Sequence, residues 1–321
     1  QQTVGDLLRD SGDLDTAAEH YVQASLLADE PVQPLLRLVD IELRKGNVTE
    51  ARDLLRQAEA AAESLAQKSQ VKAVGAELEG RLGRIRAAIE QLRQQEEFLS
   101  QFQSPWTVTM AVYQPMIRAY NALGDPDTAQ EILTMSLGRV GPPLDKFLAF
   151  SEADILFQLE DYDAAEEAAL RGAEVIEEFQ LEDMNFLVDM IRGYILRKRG
   201  DYPGSSAAFQ ATIERIEGSV LGGSDLYREL PNFNAELAHS LVLGGEFDLA
   251  EDALTKGFRL DPSNPLLWVS KARFQHASGQ PQLAQASVSY ALAIWKDADP
   301  EYFELNKALD LQQEIRQSLS R

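Results

Sequence analysis

The sequence predicts an all-α fold, an α-solenoid of stacked antiparallel helical hairpins with a C-terminal capping helix, and three observations predict it. A short turn recurs seven times, beginning at Gly12, Gly46, Gly124, Glu160, Gly200, Gly245 and Gly279. A small residue follows each turn five positions later, at Ala17, Ala51, Ala129, Ala165, Ser205, Ala250 and Ala284. The 321-residue chain is also 45% hydrophobic, enough to bury a core, so its acidity is not that of a disordered tail. Units of this size that recur in one chain stack on their neighbours instead of gathering around one centre.

Each turn has a physical reading. Gly ends one helix in a left-handed conformation, and an Asp, Asn or Thr just beyond it caps the next. The small residue lets two helices approach closely, and one turn later a larger apolar residue fills the seam, as Tyr21, Leu55, Leu133, Phe209, Leu254 and Val288 do. Another small residue often follows, at Ala24, Ala58, Ser136, Gly172, Gly257 and Ala291. The turns lie 34, 78, 36, 40, 45 and 34 residues apart. One period beyond Gly46 falls Gly80, which puts Leu82, Ile85, Ile89 and Leu92 at the seam positions of a degenerate repeat over 66–100. The same stretch also reads as one long helix, because Val71, Val74, Leu78, Leu82, Ile85, Ile89, Leu92 and Leu99 keep near-heptad spacing. Gly75, Gly80 and Gly83 favour the hairpin, since each costs a continuous helix about 1 kcal/mol relative to Ala. The extra residues of the 40- and 45-residue intervals fall near Glu182 and in a loop at 218–223. Asp261-Pro262 closes one unit, because Pro cannot continue a helix. The array therefore spans 1–299, as seven clear repeats and the degenerate one. Residues 300–321 form the cap, whose apolar positions are Tyr302, Phe303, Leu305, Leu309, Leu311, Ile315 and Leu319.

These residues resemble the tetratricopeptide repeat family, whose pattern runs Trp, Leu-Gly and Tyr in the first helix and Ala, Phe or Tyr, Ala and Pro in the second. The best single match is residues 245–262, followed by Trp268 where the next first helix begins; Gly5, Gly193 and Tyr120 fall on the first-helix Gly and Tyr positions. By the same phase Gln1 sits at the Trp position, so the N-terminus is expected to be a truncation of a longer array or of its leading helix. The resemblance implies a right-handed superhelix whose concave face is lined by first helices and takes extended peptides or partner helices. Carried across by phase, the groove positions are Arg118, Phe147, Phe150, Asp154, Leu187, Met190, Tyr194, Arg197, His239, Arg273 and His276. Phe147, Phe150, Met190 and Tyr194 would form one apolar patch on two neighbouring repeats, although aromatics at helical spacing also pack between helices. The family's clamp for a peptide carboxylate needs Lys and Asn at set first-helix positions. Those positions hold Gln2 and Asp6, Leu36 and Asp40, Gln114 and Arg118, and Met190 and Tyr194, so the clamp is missing.

Charge and motifs narrow the function further. The formal net charge is −22, from 52 acidic and 30 basic residues, which argues against a nucleic-acid binder. Residues 150–190 carry thirteen carboxylates and the single base Arg171. On outward-facing second helices such a ridge serves solubility, or steers a basic partner. No apolar run reaches the roughly 20 residues a membrane helix needs, so no direct membrane insertion is expected. The chain has no Cys, and His20, His239 and His276 lack metal-ligand spacing. No phosphate loop, dinucleotide fingerprint or nucleophile elbow occurs, so no catalytic, cofactor or metal residue is assigned. The expectation is a non-enzymatic scaffold, one module of a larger bacterial protein, binding a protein or peptide with an apolar anchor and a neutral or basic flank. The alternatives are a small-molecule sensor module and an envelope scaffold for polysaccharide or outer-membrane assembly; the cytoplasm is slightly favoured over the periplasm.

Overall fold

The recurring turns do reverse the chain. The computed structural model describes residues 2–219 and 224–320; residues 220–223 of the expected 218–223 loop lie outside the described residues, as does Gln1. Eight antiparallel hairpins follow one another among the described residues, and no strand occurs among them. They pair α1 (Gln2–Ser11) with α2 (Leu14–Leu27), α3 (Val32–Lys45) with α4 (Val48–Ala61), and α5 (Leu65–Arg81) with α6 (Ile85–Leu99). A short α7 (Pro105–Val108) runs through a π turn (Thr109–Tyr113) into α8 (Gln114–Ala122), which pairs with α9 (Pro126–Val140). A 3-10 turn (Leu144–Leu148) opens α10 (Ala149–Gln158), paired with α11 (Tyr162–Glu178), and another (Glu182–Asn185) opens α12 (Phe186–Lys198), paired with α13 (Tyr202–Gly218). After α14 (Ser224–Tyr227) come α15 (Leu230–Gly244) with α16 (Phe247–Leu260), α17 (Pro265–Ala277) with α18 (Pro281–Ile294), and finally α19 (Phe303–Leu319).

Each reversal is made by one residue at positive φ. Seven are glycines, such as Gly46 at +84°, and in the fifth hairpin Glu160 takes the same conformation at +61° without the freedom of a glycine. The next residue then donates its N–H to the carbonyl five positions back, as Asp13 does to Leu8 at 2.9 Å and Asn47 to Glu42 at 2.8 Å. In four hairpins the Asp after the turn also caps the second helix, Asp201 accepting from the Gly204 N–H at 2.9 Å. The seam residues Ala17, Ala51, Ala129, Ala165, Ala250 and Ala284 are fully buried, and Tyr21 and Phe209 fill the space beside them. Opposite the seam lie glycines that admit a ring: a Cβ on Gly172 would sit 2.5 Å from the Phe150 ring, and one on Gly5 would sit 2.8 Å from the Tyr21 ring.

Residues 65–99 hold two helices, α5 and α6, but the break falls at Gly83 (φ +71°) and not at Gly80. Gly80 lies inside α5 with nothing near its missing Cβ, whereas Gly83 is pressed against Ala298 and Tyr302. The seam positions shift with it, to the buried Ala88, Leu92 and Gln95. In α19, Ala308, Leu311 and Ile315 are buried, but Leu309 and Leu319 point to solvent, a narrower apolar face than the sequence pattern offers.

One feature departs from an open solenoid, in which each repeat touches only its neighbours. The first three turns rest on the linkers of the last repeats. Arg81 donates two bonds of 2.6 Å to the buried Asp261 carboxylate and a third, of 2.9 Å, to Ser263 Oγ. Ser263 donates its N–H to the Arg44 carbonyl at 3.2 Å and its hydroxyl to the Leu43 carbonyl at 2.6 Å. Trp295 Nε1 donates to the Arg81 carbonyl at 3.1 Å, the Asp299 N–H to the Gly83 carbonyl at 2.9 Å, and Arg86 pairs with Glu301 at 2.8 Å. A Cβ on Gly12 would sit 2.5 Å from the Arg259 carbonyl oxygen, so that turn too is in van der Waals contact across the closure. Asp261 is thus the partner of a guanidinium 180 positions away as well as a helix stop.

Two outcomes are expected. Asp261→Ala leaves the Arg81 guanidinium without its anion and lowers stability by about 3–5 kcal/mol in urea unfolding, and Asp261→Leu with Arg81→Met recovers most of it; a loss near zero for Asp261→Ala would mean that the closure contributes nothing. Gly172→Ala drives a methyl into the Phe150 ring and costs about 1–3 kcal/mol, whereas Gly80→Ala, in open space within a helix, adds up to about 1 kcal/mol; thermal melts of the two variants shifting the same way would contradict the packing described.

Candidate functional site

A cavity of about 350 Å³ lies between α7–α8, α10 and α12. Local irregularities build it. The π turn brings Met110 to the wall, and the 3-10 turn before α10 brings Leu144 and Phe147. Phe147 lies between the rings of Trp106 and Phe179, with centroids 5.5 and 5.6 Å away, and Phe150 is braced on Gly172. Both are buried, so they form wall and floor. On the far side the Tyr194 ring lies 5.8 Å from Phe157 and meets Phe209 edge-on at 5.0 Å. Met110, Met184, Leu187 and Met190 remain half-buried around the mouth, unbranched or flexible chains that can repack around a guest.

Few polar groups interrupt this lining. Asp154 accepts a 2.8 Å hydrogen bond from Asn121 Nδ2. Burial raises its carboxyl above the ordinary value, and the Asn121 bond and the Arg118 charge only partly offset that. Arg118 itself is exposed at the rim. The Tyr194 phenol is pushed well above its ordinary value by burial, with Glu236 adding to the effect, so it stays a neutral donor.

Of the positions expected in the groove, Arg118, Phe147, Phe150, Asp154, Leu187, Met190 and Tyr194 line this one cavity. Arg197 lies just beyond, its Cζ 5.4 Å from the ring centres of Tyr194 and Phe209 and its Nη1 2.6 Å from Glu236 Oε2. His239, Arg273 and His276 are outside the cavity, on α15 and α17. Trp106, Met110, Phe157, Phe179, Leu181 and Met184 line it without having been expected. The only sequence sign of them is an excess of aromatic and Met residues where the repeat interval lengthens. The acidic segment 150–190 divides: Asp154 faces the cavity, while Asp163, Glu167, Glu174, Glu177 and Glu178 are exposed along α11. Among the described residues no group of three or more His, Asp or Glu could hold a metal ion, and no helix is long and apolar enough to cross a membrane.

Comparison with known proteins agrees with the hairpin geometry. The tetratricopeptide repeat family model matches residues 5–66 and 116–180. The Rap protein complexed with competence and sporulation factor superposes with a TM-score of 0.53 at 12% identity, covering 99% of this chain and 97% of that one. A chain of the APC/C hetero-tetramer Cut9-Hcn1 gives 0.52 at 14% identity, covering 97% of this chain and 54% of that one. A tetratricopeptide repeat protein from Parabacteroides merdae gives 0.48 at 16% identity, covering 88% of this chain and 98% of that one. No curated protein matches the chain by sequence. Residues 5–66 and 116–180 are tetratricopeptide repeats, and the hairpins between and beyond them continue the same fold.

Proposed function

We propose that the chain is a non-enzymatic scaffold that binds a protein or peptide in its concave groove, with one apolar side chain of the partner entering the cavity. The observation that carries this reading is the cavity itself: about 350 Å³, preformed, walled by aromatic rings and ringed by Met and Leu. Such a site rewards burial of a Leu, Met, Phe or Trp side chain, while a small number of polar groups orient what is attached to it. Asp154 is the carboxylate in the wall, so a neutral or basic residue beside the anchor is accommodated on the α8–α10 side. The Rap protein, similar to this chain in fold, has been solved in complex with competence and sporulation factor, which supports such use at the level of the fold.

The volume also lies within the range of small-molecule pockets, which keeps a ligand-sensing module as the second reading. Melting the protein against a metabolite panel separates the two, because a ligand that binds the native state alone raises stability by mass action.

Met190→Asp is the direct test, since Met190 is half-buried at the mouth; because it also packs against the core of the flanking hairpins, the melting temperature of the variant is measured beside its binding. On a peptide array, wild-type protein is expected to enrich sequences with one large apolar residue at a fixed position. The variant, with its melting temperature within a few degrees of wild type, is expected to lose that binding by about 100-fold. Equal retention of the same peptides by the variant would remove the cavity from the binding site.

A further inference from the structure

A second cleft, of about 500 Å³, lies between α4, α5 and α6 and shares no lining residue with the first. The repeat phase explains its position. Sixteen positions before the seam residue Ala284 stands Trp268 and six after it Tyr290, and eight after the preceding seam residue Ala250 stands Phe258. Those three rings pack together, the Trp268 centre lying 5.0 Å from that of Phe258 and 4.4 Å from that of Tyr290. The same offsets from Ala88 and Ala51 give Lys72, Gln94 and Glu59, and all three line the cleft. A space that an indole fills between the last two hairpins is therefore open between the second and third. Its floor is apolar: Ala62 and Val71 are buried in a core cluster with Val32, Leu36 and Ala58, and the half-buried Phe98 completes the apolar lining. Its walls are charged. A capping box at Ser64 starts α5 and sets Lys68 and Lys72 one turn apart on one face. Lys72 donates to Glu59 at 2.6 Å, and Gln94 donates to Glu90 at 3.0 Å. Lys68 on α5 and Glu97 on α6 also line the cleft, and their side chains make no hydrogen bond or ion pair with any described residue.

We propose that this cleft binds a free aromatic amino acid, its ring seated where Trp268 lies in the last hairpins, its carboxylate on Lys68 and its ammonium on Glu97. The floor offers the ring an apolar surface to bury, and Phe98 offers it an aromatic neighbour. One ammonium and one carboxylate on different helices match a zwitterion better than either single ion, because an acid alone leaves Glu97 unanswered and an amine alone leaves Lys68 unanswered. The volume lies within the range of small-molecule sites. This site does not depend on the groove reading above, and either can fail without the other.

Isothermal titration calorimetry of the intact chain tests this with L-tryptophan, tryptamine, indolepropionate and N-acetyl-L-tryptophanamide, which carry both charges, the ammonium alone, the carboxylate alone and neither. L-tryptophan is expected to bind with a Kd below about 1 mM, and loss of either charge to weaken binding about fivefold, the most that an exposed ion pair contributes. Lys68→Gln should erase the difference between L-tryptophan and tryptamine, and Glu97→Gln that between L-tryptophan and indolepropionate. Neither side chain is buried, so both variants keep the fold. Lys72→Trp puts an indole into the cleft as in the last hairpins and should abolish L-tryptophan binding. No binding of L-tryptophan to the wild-type protein, or binding that Lys72→Trp leaves intact, would overturn the site. Binding of the uncharged amide as tight as that of L-tryptophan would overturn the zwitterion seat, since it would show a cleft that reads the ring alone. Charge differences that persist in Lys68→Gln and Glu97→Gln would overturn it as well, by placing the recognised charges elsewhere.

Discussion

Eight residues at positive φ hold this architecture in phase, because each turns a helix back on itself after a definite residue and so decides which side chains face inward. The bond from the next N–H to the carbonyl five positions back leaves little latitude in that reversal, and the small residue five positions after the turn then meets the preceding helix at close range. From this one constraint follow the seam that buries Tyr21 and Phe209, the facing glycines at 5 and 193, and the presentation of α8, α10 and α12 to the cavity. That Glu160 adopts the same conformation shows the packing demanding the turn even where a side chain opposes it.

What was legible in the sequence was whatever depended on this phase. Seven turns, their seam residues and the inward positions 147, 150, 190 and 194 come from counting, and all four of those positions line one cavity. The eighth turn was misplaced by three residues because Gly80 and Gly83 both fit a degenerate period, and what separates them is the contact of Gly83 with Ala298, more than 200 residues away. The remaining walls of the cavity were hidden for a related reason. Met110 lies on a π turn that breaks the helical count, and Phe179, Leu181 and Met184 lie at the end of α11 or in the linker after it, where no period applies.

The closure between first turns and last linkers left no local mark at all. Arg81 reads as a basic residue suited to the end of a helix, and Asp261 as the residue before a helix-stopping Pro; each has a sufficient explanation within its own repeat. Only their bidentate pairing shows that the two explanations are incomplete. The cavity, by contrast, lies in the middle of the chain, away from the closing contacts, in a region where repeat length is irregular and half-buried Met and Leu side chains ring the opening. Rigidity at the seam and adaptability at the mouth are therefore separated along the chain.

Fixing the first three described turns to the last two linkers also fixes the number of hairpins between them. An open solenoid gains or loses a hairpin by adding or removing one nearest-neighbour interface. Here an inserted or deleted unit would carry Asp261, Ser263 and Asp299 away from Arg81, Leu43 and Gly83 by the full rise and rotation of a repeat, and each of those contacts would break together. The number of hairpins between Arg81 and Asp261 is therefore set by the closure as a whole, and only the lengths of the linkers between them can vary without breaking it.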